Sequence, residues 1–545
     1  MRLGGGCCRV RLPFALLLAL GTISADDRSE AVDRLLAPYR AENSPGCAVG
    51  VLQNGQFAYR NAFGSADLEA SAPITTATPF HVASLSKQFT AAALYFLVNW
   101  GKVRLDDSVR HFVPELPRLA DDITVADLLH HTSGLRDVFP LLEAAGHPPQ
   151  ILEIADNLKM LSMQSSLNFT PGTDYEYANS DYLLLGLIVE RVTGMKLADF
   201  AEKHIFRPLG MTHSGFPGGA KEITGGALGY STHSGQFRHS IPPLVAGDGG
   251  LQSSVEDLAR WDENFYSPVV GGKRMIDFLE EPGRLRSGEP IRYAAGLVLG
   301  KFRGVPVIGH DGVLPGSRSD LVRFPLQHLT VISLCNRGDA DSSSLSRAIA
   351  TVYLQGKLKA RLQPADIDYP TSGFPALAGV WESKQGWILR SWNSVDRLSI
   401  ASPDGWYELV PLNHNQLFDE QGSWRVILTR LTPDRIKLER NGSLPVIYDR
   451  LPTHNPAPGE LNGFAGEYHS TDADATWQIV SEAGRLFASI NGTWRIPLDA
   501  AGPDRFAGGP WSLHFVYDQE GKVKGVELHR SRLWNLWFDR VDRAN

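Results

Sequence analysis

The sequence predicts an α/β domain, with an antiparallel sheet flanked by helices and a helical subdomain, followed by two small antiparallel β-barrels. Three observations lead there. Strand-forming segments near the start of the chain and again from Val305 bracket a long helical middle; from Ala376 onward the pattern turns to short strands with regular turns; and that last region repeats itself.

Several domains are required by length alone, because 545 residues exceed the ~250–300 at which one hydrophobic core stops growing. Hydrophobic residues at 43 % and charged residues at 21 % give the balance of a folded globular chain rather than a disordered one. A net charge of −7 without any Lys/Arg run argues against nucleic acid as a partner.

Arg2, Arg9 and Arg11 precede the apolar run Leu12–Leu20, and the small Ser24 and Ala25 precede Asp26 and Asp27. This is the pattern of a cleavable secretory signal over residues 1–25, and it places the mature protein in the periplasm or outside the cell. The apolar run is shorter than the ~20 residues that span a bilayer, so an uncleaved anchor is the weaker reading. Nothing later in the sequence reads as membrane-spanning. Cys7 and Cys8 leave with the signal, and the mature chain keeps Cys47 and Cys335, too few for a disulfide framework.

Gly46–Leu52, the turn residues Asn54-Gly55 and Phe57–Arg60 read as a hairpin. Lys87–Trp100 is apolar and lacks internal Gly or Pro, which suits a buried helix. Helical patterning continues to about Phe265, and strands return at Val305–Ile308, Asp320–Phe324 and Leu329–Leu334. After a compositional break at Leu362-Gln363-Pro364, the stretch Leu377–Ser383 is echoed by Phe464–Ser470, and Tyr448–Leu451 by Phe538–Val541. A Pro-rich linker, Leu451–Pro458, separates the two units, each the size of one small barrel. The expected domains are therefore 26–360, 374–452 and 460–545.

Ser84-Leu85-Ser86-Lys87 opens the apolar helix, and its spacing sets the Ser84 hydroxyl and the Lys87 amine on one face, a turn apart. A serine hydroxyl is a weak nucleophile until a base activates it, and a lysine serves when burial favours its neutral form. Alone, the motif is common by chance and reads as an N-capping Ser with a solvated Lys. Tyr177-Ala178-Asn179 follows Phe169–Gly172 and precedes another apolar helix. Residues two apart on an extended loop point the same way, so a phenol and an amide face one site. Alone, they read as a buried Tyr and a turn-closing Asn. His310-Asp311-Gly312 follows a strand and precedes Val313–Ser319. Glycine on a strand admits a second backbone, here a substrate's; a surface His beside a turn is the plain alternative.

In this order and at these intervals the three motifs resemble the penicillin-recognising serine hydrolases: class C β-lactamases, DD-carboxypeptidases, related esterases and D-aminopeptidases. The resemblance covers Ser29–Tyr353 and extends to Leu128–Leu135, His204–Met211, and Gly249-Gly250-Leu251 ahead of Asp257-Leu258. It implies a β-lactamase-like fold for the first domain. Ser84 is then the acylated nucleophile, Lys87 its proton acceptor and Tyr177 the second proton-transfer group serving the leaving group, with the base role in acylation shared. Asn179 would bind the substrate amide, and the backbone N–H groups of Ser84 and Val313 would form the oxyanion hole. His310 and Gly312 would line the substrate side. His310 stands where the family often has Lys and is charged only part of the time near neutral pH, which argues away from β-lactamase activity. The same resemblance makes the strands bearing Cys47 and Cys335 antiparallel neighbours, close enough for a disulfide in an oxidising compartment.

His130 and His131 are adjacent, and neighbours on a helix point ~100° apart, so they do not readily share an ion. With no H-x-x-x-H or Cys cluster, no metal or other cofactor is implied. The tandem barrels resemble those of bacterial D-stereospecific aminopeptidases, in which a loop of the last barrel enters the active site. Gly502–Gly509 occupies the corresponding place, and its Asp504 would meet a substrate's free ammonium; a turn Asp on an exposed hairpin loop is the other reading. The expected partner is a small peptide, amide or ester. An esterase, amidase or β-lactamase-like hydrolase of small acyl groups is the second reading, and a sensor that binds penicillin or muropeptides without turnover the third. Oligomeric state is not legible in the sequence.

Overall fold

Asn54 and Gly55 both take positive φ, 53° and 74°, the backbone that a two-residue turn between right-twisted strands requires. They join β1 (Cys47–Gln53) to β2 (Gln56–Phe63) as the sequence predicts. In this computed structural model the described residues are 25–147, 153–242, 245–360 and 375–541, the last range with gaps at 395–396, 404, 420–425, 441–443, 491 and 493. The signal pattern up to residue 24 and the break at Leu362–Pro364 lie outside them.

The hairpin joins four later strands, β3 (Val298–Phe302), β4 (Val305–Leu314), β5 (Ser317–Phe324) and β6 (Leu329–Cys335), in an antiparallel sheet of order β2-β1-β6-β5-β4-β3. Cys47 and Cys335 sit opposite each other on β1 and β6, with Cα atoms 4.1 Å apart, and are disulfide-bonded. β4 is longer than expected: His310, Asp311, Gly312 and Val313 lie within it, because the turn waits for Pro315-Gly316, where Gly316 supplies φ 74°.

The interior strands β1 and β6 are buried on both faces, which is why their sequences, CAVGVLQ and LTVISLC, lack a strict alternation. One face packs on α1 (Ala25–Leu35) and α5 (Ser342–Tyr353) through Val32, Leu345 and Ile349. The other meets α2 (Ser86–Asn99) and α4 (Val255–Glu263), and α2 lies against α3 (Asn179–Thr193) within the helical subdomain. Among the described residues no helix is long and apolar enough to cross a membrane.

Two closed eight-stranded antiparallel barrels follow. The sequence repeat marks their closure. Trp381 pairs with Arg450 in the first barrel and Tyr468 with Arg540 in the second, joining first strand to last in the same register. Each arginine also donates to carbonyls just ahead of its first strand, Arg450 to Ala376 and Ala378, Arg540 to Gly463 and Ala465. Between the barrels, most of Leu451–Pro458 is irregular and exposed.

Candidate active site

Ser84 lies in a single 3₁₀ turn, Ala83–Leu85, that runs directly into α2. Ala83 has φ 52°, a left-handed conformation that costs a residue with a Cβ about 1–2 kcal/mol. What holds it there is β4. A Cβ on Gly312 would stand 2.4 Å from the Val82 carbonyl oxygen and 2.9 Å from the Ala83 Cβ, so only glycine lets the strand approach the turn. Ser319 Oγ adds a hydrogen bond to the Val82 carbonyl at 2.7 Å. The backbone that approaches Gly312 is therefore the turn carrying Ser84, not a substrate, and the expectation for Gly312 is corrected accordingly.

Lys87, one helical turn on, is fully buried. Its Nζ lies 3.4 Å from Ser84 Oγ and donates to Asn179 Oδ1 at 2.8 Å and to the Asp248 backbone carbonyl at 2.7 Å. Burial outweighs the nearby Asp248 and Asp137 carboxylates and brings the ammonium down to about 8. Tyr177 donates its hydroxyl to Ser84 Oγ at 2.9 Å, and burial holds that phenol well above its ordinary range. The tyrosine thus stays protonated near neutral pH while the lysine is poised to lose its proton.

Asn179, the first residue of α3, faces the protein on both sides of its amide. Oδ1 accepts from Lys87, and Nδ2 donates to Asp137 Oδ2 at 2.9 Å. Asp137 is wholly buried and also accepts from the Asn179 backbone N–H at 3.2 Å. One N–H of the Asn179 amide remains for a ligand.

His310 is buried, and burial lowers its imidazole to about 4, so it is neutral near pH 7 rather than partly charged as expected from sequence. Its Nδ1 lies 2.6 Å from the Asp311 carbonyl, which only accepts, so Nδ1 carries the hydrogen; Nε2 then accepts from Tyr293 Oη at 3.3 Å. His131 Nδ1 is engaged by Asp181 at 2.8 Å, and Ser133 Oγ donates to the other oxygen of that carboxylate at 2.6 Å.

Ser84, Tyr177, Asn179, His310 and Val313 line one cavity of about 1730 Å³ at the meeting point of all three domains. Asp504 does not line it. Its carboxylate is held by Arg505 at 2.5 Å and His514 at 3.5 Å, and Arg505 in turn grips Glu382 of the first barrel at 2.7 Å. The Gly502–Gly509 loop therefore packs toward the other barrel, which corrects the placement of Asp504. The second barrel instead reaches the cavity through Ser531 and Arg532, the turn between strands Val523–Arg530 and Leu533–Val541.

A family model described as Beta-lactamase matches residues 32–354. The chain belongs to the beta-lactamase family. It is 27 % identical over 514 residues to a D-aminopeptidase of Brucella ovis, a match that covers 89 % of this chain and 93 % of that protein and so extends into both barrels. Its fold resembles the octameric penicillin-binding protein homologue from Pyrococcus abyssi, with TM-score 0.55 at 22 % identity over 78 % of this chain and all of that one. It also resembles the D-amino acid amidase from Ochrobactrum anthropi, with TM-score 0.50 at 24 % identity over 60 % and 97 % of the respective chains. As a family member with these relatives, the protein is a serine hydrolase.

Sequence reasoning missed four residues of this family site. Asp248 lines the cavity floor, and burial pushes its carboxyl up to about 6 against the lowering pull of Lys87. It directly precedes the Gly249-Gly250 pair that marks the resemblance, so its signal was one residue away. Asp137 caps the helix Val138–Ala144 and was legible only as a cap. Tyr293 and Arg532 belong to no motif and reach the site by folding alone.

Proposed function

We propose that the protein is a secreted or periplasmic D-stereospecific aminopeptidase that releases N-terminal D-amino acids through an acyl-enzyme on Ser84. A neutral lysine amine has two N–H groups and one lone pair. Asn179 Oδ1 and the Asp248 carbonyl take the two N–H groups, which turns the lone pair toward Ser84 Oγ. Lys87 then takes the Ser84 proton as Oγ attacks the carbonyl, and Tyr177 delivers a proton to the leaving nitrogen. Water reverses the sequence to release the acid. The backbone N–H groups of Ser84 and Val313 serve the oxyanion, and the remaining N–H of Asn179 serves the substrate amide.

The observation that carries the substrate class is the likeness to a D-aminopeptidase along nearly the whole chain, barrels included. Charge supports it. A free α-ammonium in a partly dry cleft needs a negative partner, and Asp248, beside Lys87 on the cavity floor, supplies one. His310, being neutral, offers no cation to a substrate carboxylate. The export reading is supported by the N-terminal pattern and by the Cys47–Cys335 bond, which persists in an oxidising compartment.

The test is a panel of D- and L-amino acid p-nitroanilides, p-nitrophenyl esters and nitrocefin, with Ser84→Ala as the blank. Expected are a D-over-L preference, loss of turnover in the blank, and a greater loss on free-amine than on N-acetylated substrates in Asp248→Asn. With a neutral ester, kcat/KM should rise toward pH 8 as Lys87, brought down to about 8 by burial, loses its proton. Equal rates on D and L substrates would move the esterase reading ahead, and stoichiometric labelling by nitrocefin without turnover would favour the sensor.

A further inference from the structure

The turn of the second barrel that enters the cavity has no counterpart in any sequence motif, yet it touches Tyr177 directly and reaches Lys87 through Asp137 and Asn179. Arg532 takes φ 69° at the turn. Its carbonyl accepts the Asp137 backbone N–H at 3.0 Å and Asn168 Nδ2 at 3.2 Å. Asn168 is itself tied back to the same hairpin, because its Oδ1 accepts the Trp534 N–H at 2.8 Å. The turn is thus clamped to the first domain by its main chain, independently of the arginine side chain.

Two contacts of the side chain bear on the site. Its guanidinium carbon lies 4.6 Å from the centre of the Tyr177 ring, and Nη1 lies 3.5 Å from Asp137 Oδ2. Tyr177 bonds Ser84 directly, and Asp137 orients Asn179, which holds Lys87. Two chains of contact therefore run from one residue of the distal barrel to the nucleophile, one through Tyr177 alone and the other through Asp137, Asn179 and Lys87.

We propose that Arg532 is a positioning residue for the Ser84–Lys87–Tyr177 system, acting through the Tyr177 ring on one side and through Asp137 and Asn179 on the other. The catalytic site is complete only when the second barrel is docked. A cation over the face of an aromatic ring is attracted to it, which fixes the plane of Tyr177 and so the direction of its hydroxyl. The same cation sits near the Lys87 amine and opposes a positive charge there, as it favours loss of the Tyr177 proton. Other charged or titratable groups around the phenol are Lys87, His131, Tyr293 and His310 from the ring contacts, with Asp137 and Asp311 acting on its charge. His131 and His310 are held neutral by burial, the first well below its usual range and the second at about 4. Arg532 is thus the positive charge facing Tyr177 from outside the first domain.

The inference does not rest on the substrate proposed above, so its test uses a small neutral ester, p-nitrophenyl acetate, with Ser84→Ala subtracted, on full-length Arg532→Gln and Arg532→Lys between pH 5 and 9. Arg532→Gln should lower kcat ~10–100-fold with KM changed by less than ~3-fold, and move the acidic limb of kcat/KM up by about half a pH unit or more, since the base loses a neighbour that disfavoured its proton. Arg532→Lys should restore the limb toward wild type. Thermal unfolding should be unchanged in both, because the main-chain clamp remains. An unmoved limb with full kcat would overturn the proposal. So would a loss confined to KM, which would make Arg532 a substrate contact, or a loss matched by a fall in melting temperature, which would make it a structural one.

Discussion

The two barrels are built on one repeat and closed by the same arginine, yet they relate to the first domain in opposite ways. The interior of the second barrel is continuous with the core of the helical subdomain, whereas the first barrel has a core of its own that accepts Trp534 from its neighbour. Arg136, fully buried in the first domain, donates to Asp472 at 2.9 Å and to the carbonyls of Trp534 and Asn535 in the second barrel at 3.1 and 2.8 Å. Trp477 Nε1 returns a hydrogen bond to the Ala144 carbonyl at 2.9 Å. The first barrel leans mainly on the second, through Trp387 to the Arg530 carbonyl and Arg390 to those of Asp499 and Ala500. Its ion pair with the first domain, Lys384 to Asp174, leaves the lysine 72 % exposed. Closure is encoded in the strands, where the repeat is visible. Docking is encoded in turns and in single buried side chains, where the two copies have diverged.

That difference can be broken experimentally, starting from the largest effect. A chain ending after Pro452 would strip the apolar cover from the helical subdomain and leave Arg136 without its carboxylate. It should be recovered aggregated, or soluble but without a cooperative thermal transition. A soluble, sharply melting truncation that retains activity would show that the second barrel is an appendage like the first.

Breaking the rivet alone is the next step down. Arg136→Ala leaves Asp472 buried and unpaired, a change that costs about 3–5 kcal/mol, read in urea unfolding. Lys384→Ala, at the corresponding contact of the first barrel, should cost less than ~1 kcal/mol, as exposed ion pairs do. Comparable losses at the two positions would erase the asymmetry.

The smallest effect belongs to Asp504→Asn. Because that carboxylate is engaged by Arg505 and His514 away from the cavity, kcat/KM should fall less than ~3-fold, and equally on free-amine and acetylated substrates. A loss selective for the free amine would return the ammonium role to this loop and remove it from Asp248.

By itself the sequence determined everything that depends on neighbours along the chain. The Asn54-Gly55 turn, the spacing of Ser84 and Lys87 on one helical face, the pairing of Tyr177 and Asn179 on one approach, and the two barrel repeats are local patterns with a mechanism. Tertiary structure decided what those residues face. Only folding sets Gly312 against the Val82 carbonyl, buries His310 until it is neutral, turns the Asn179 amide between Lys87 and Asp137, and brings Arg532 rather than Asp504 to the cleft. The physical reason is that turns and strand ends carry no periodicity. Which of the second barrel's turns enters the cavity follows from how the barrel docks, and that is set by Arg136, Asp472 and a shared apolar core contributed by segments more than 300 residues apart in the chain.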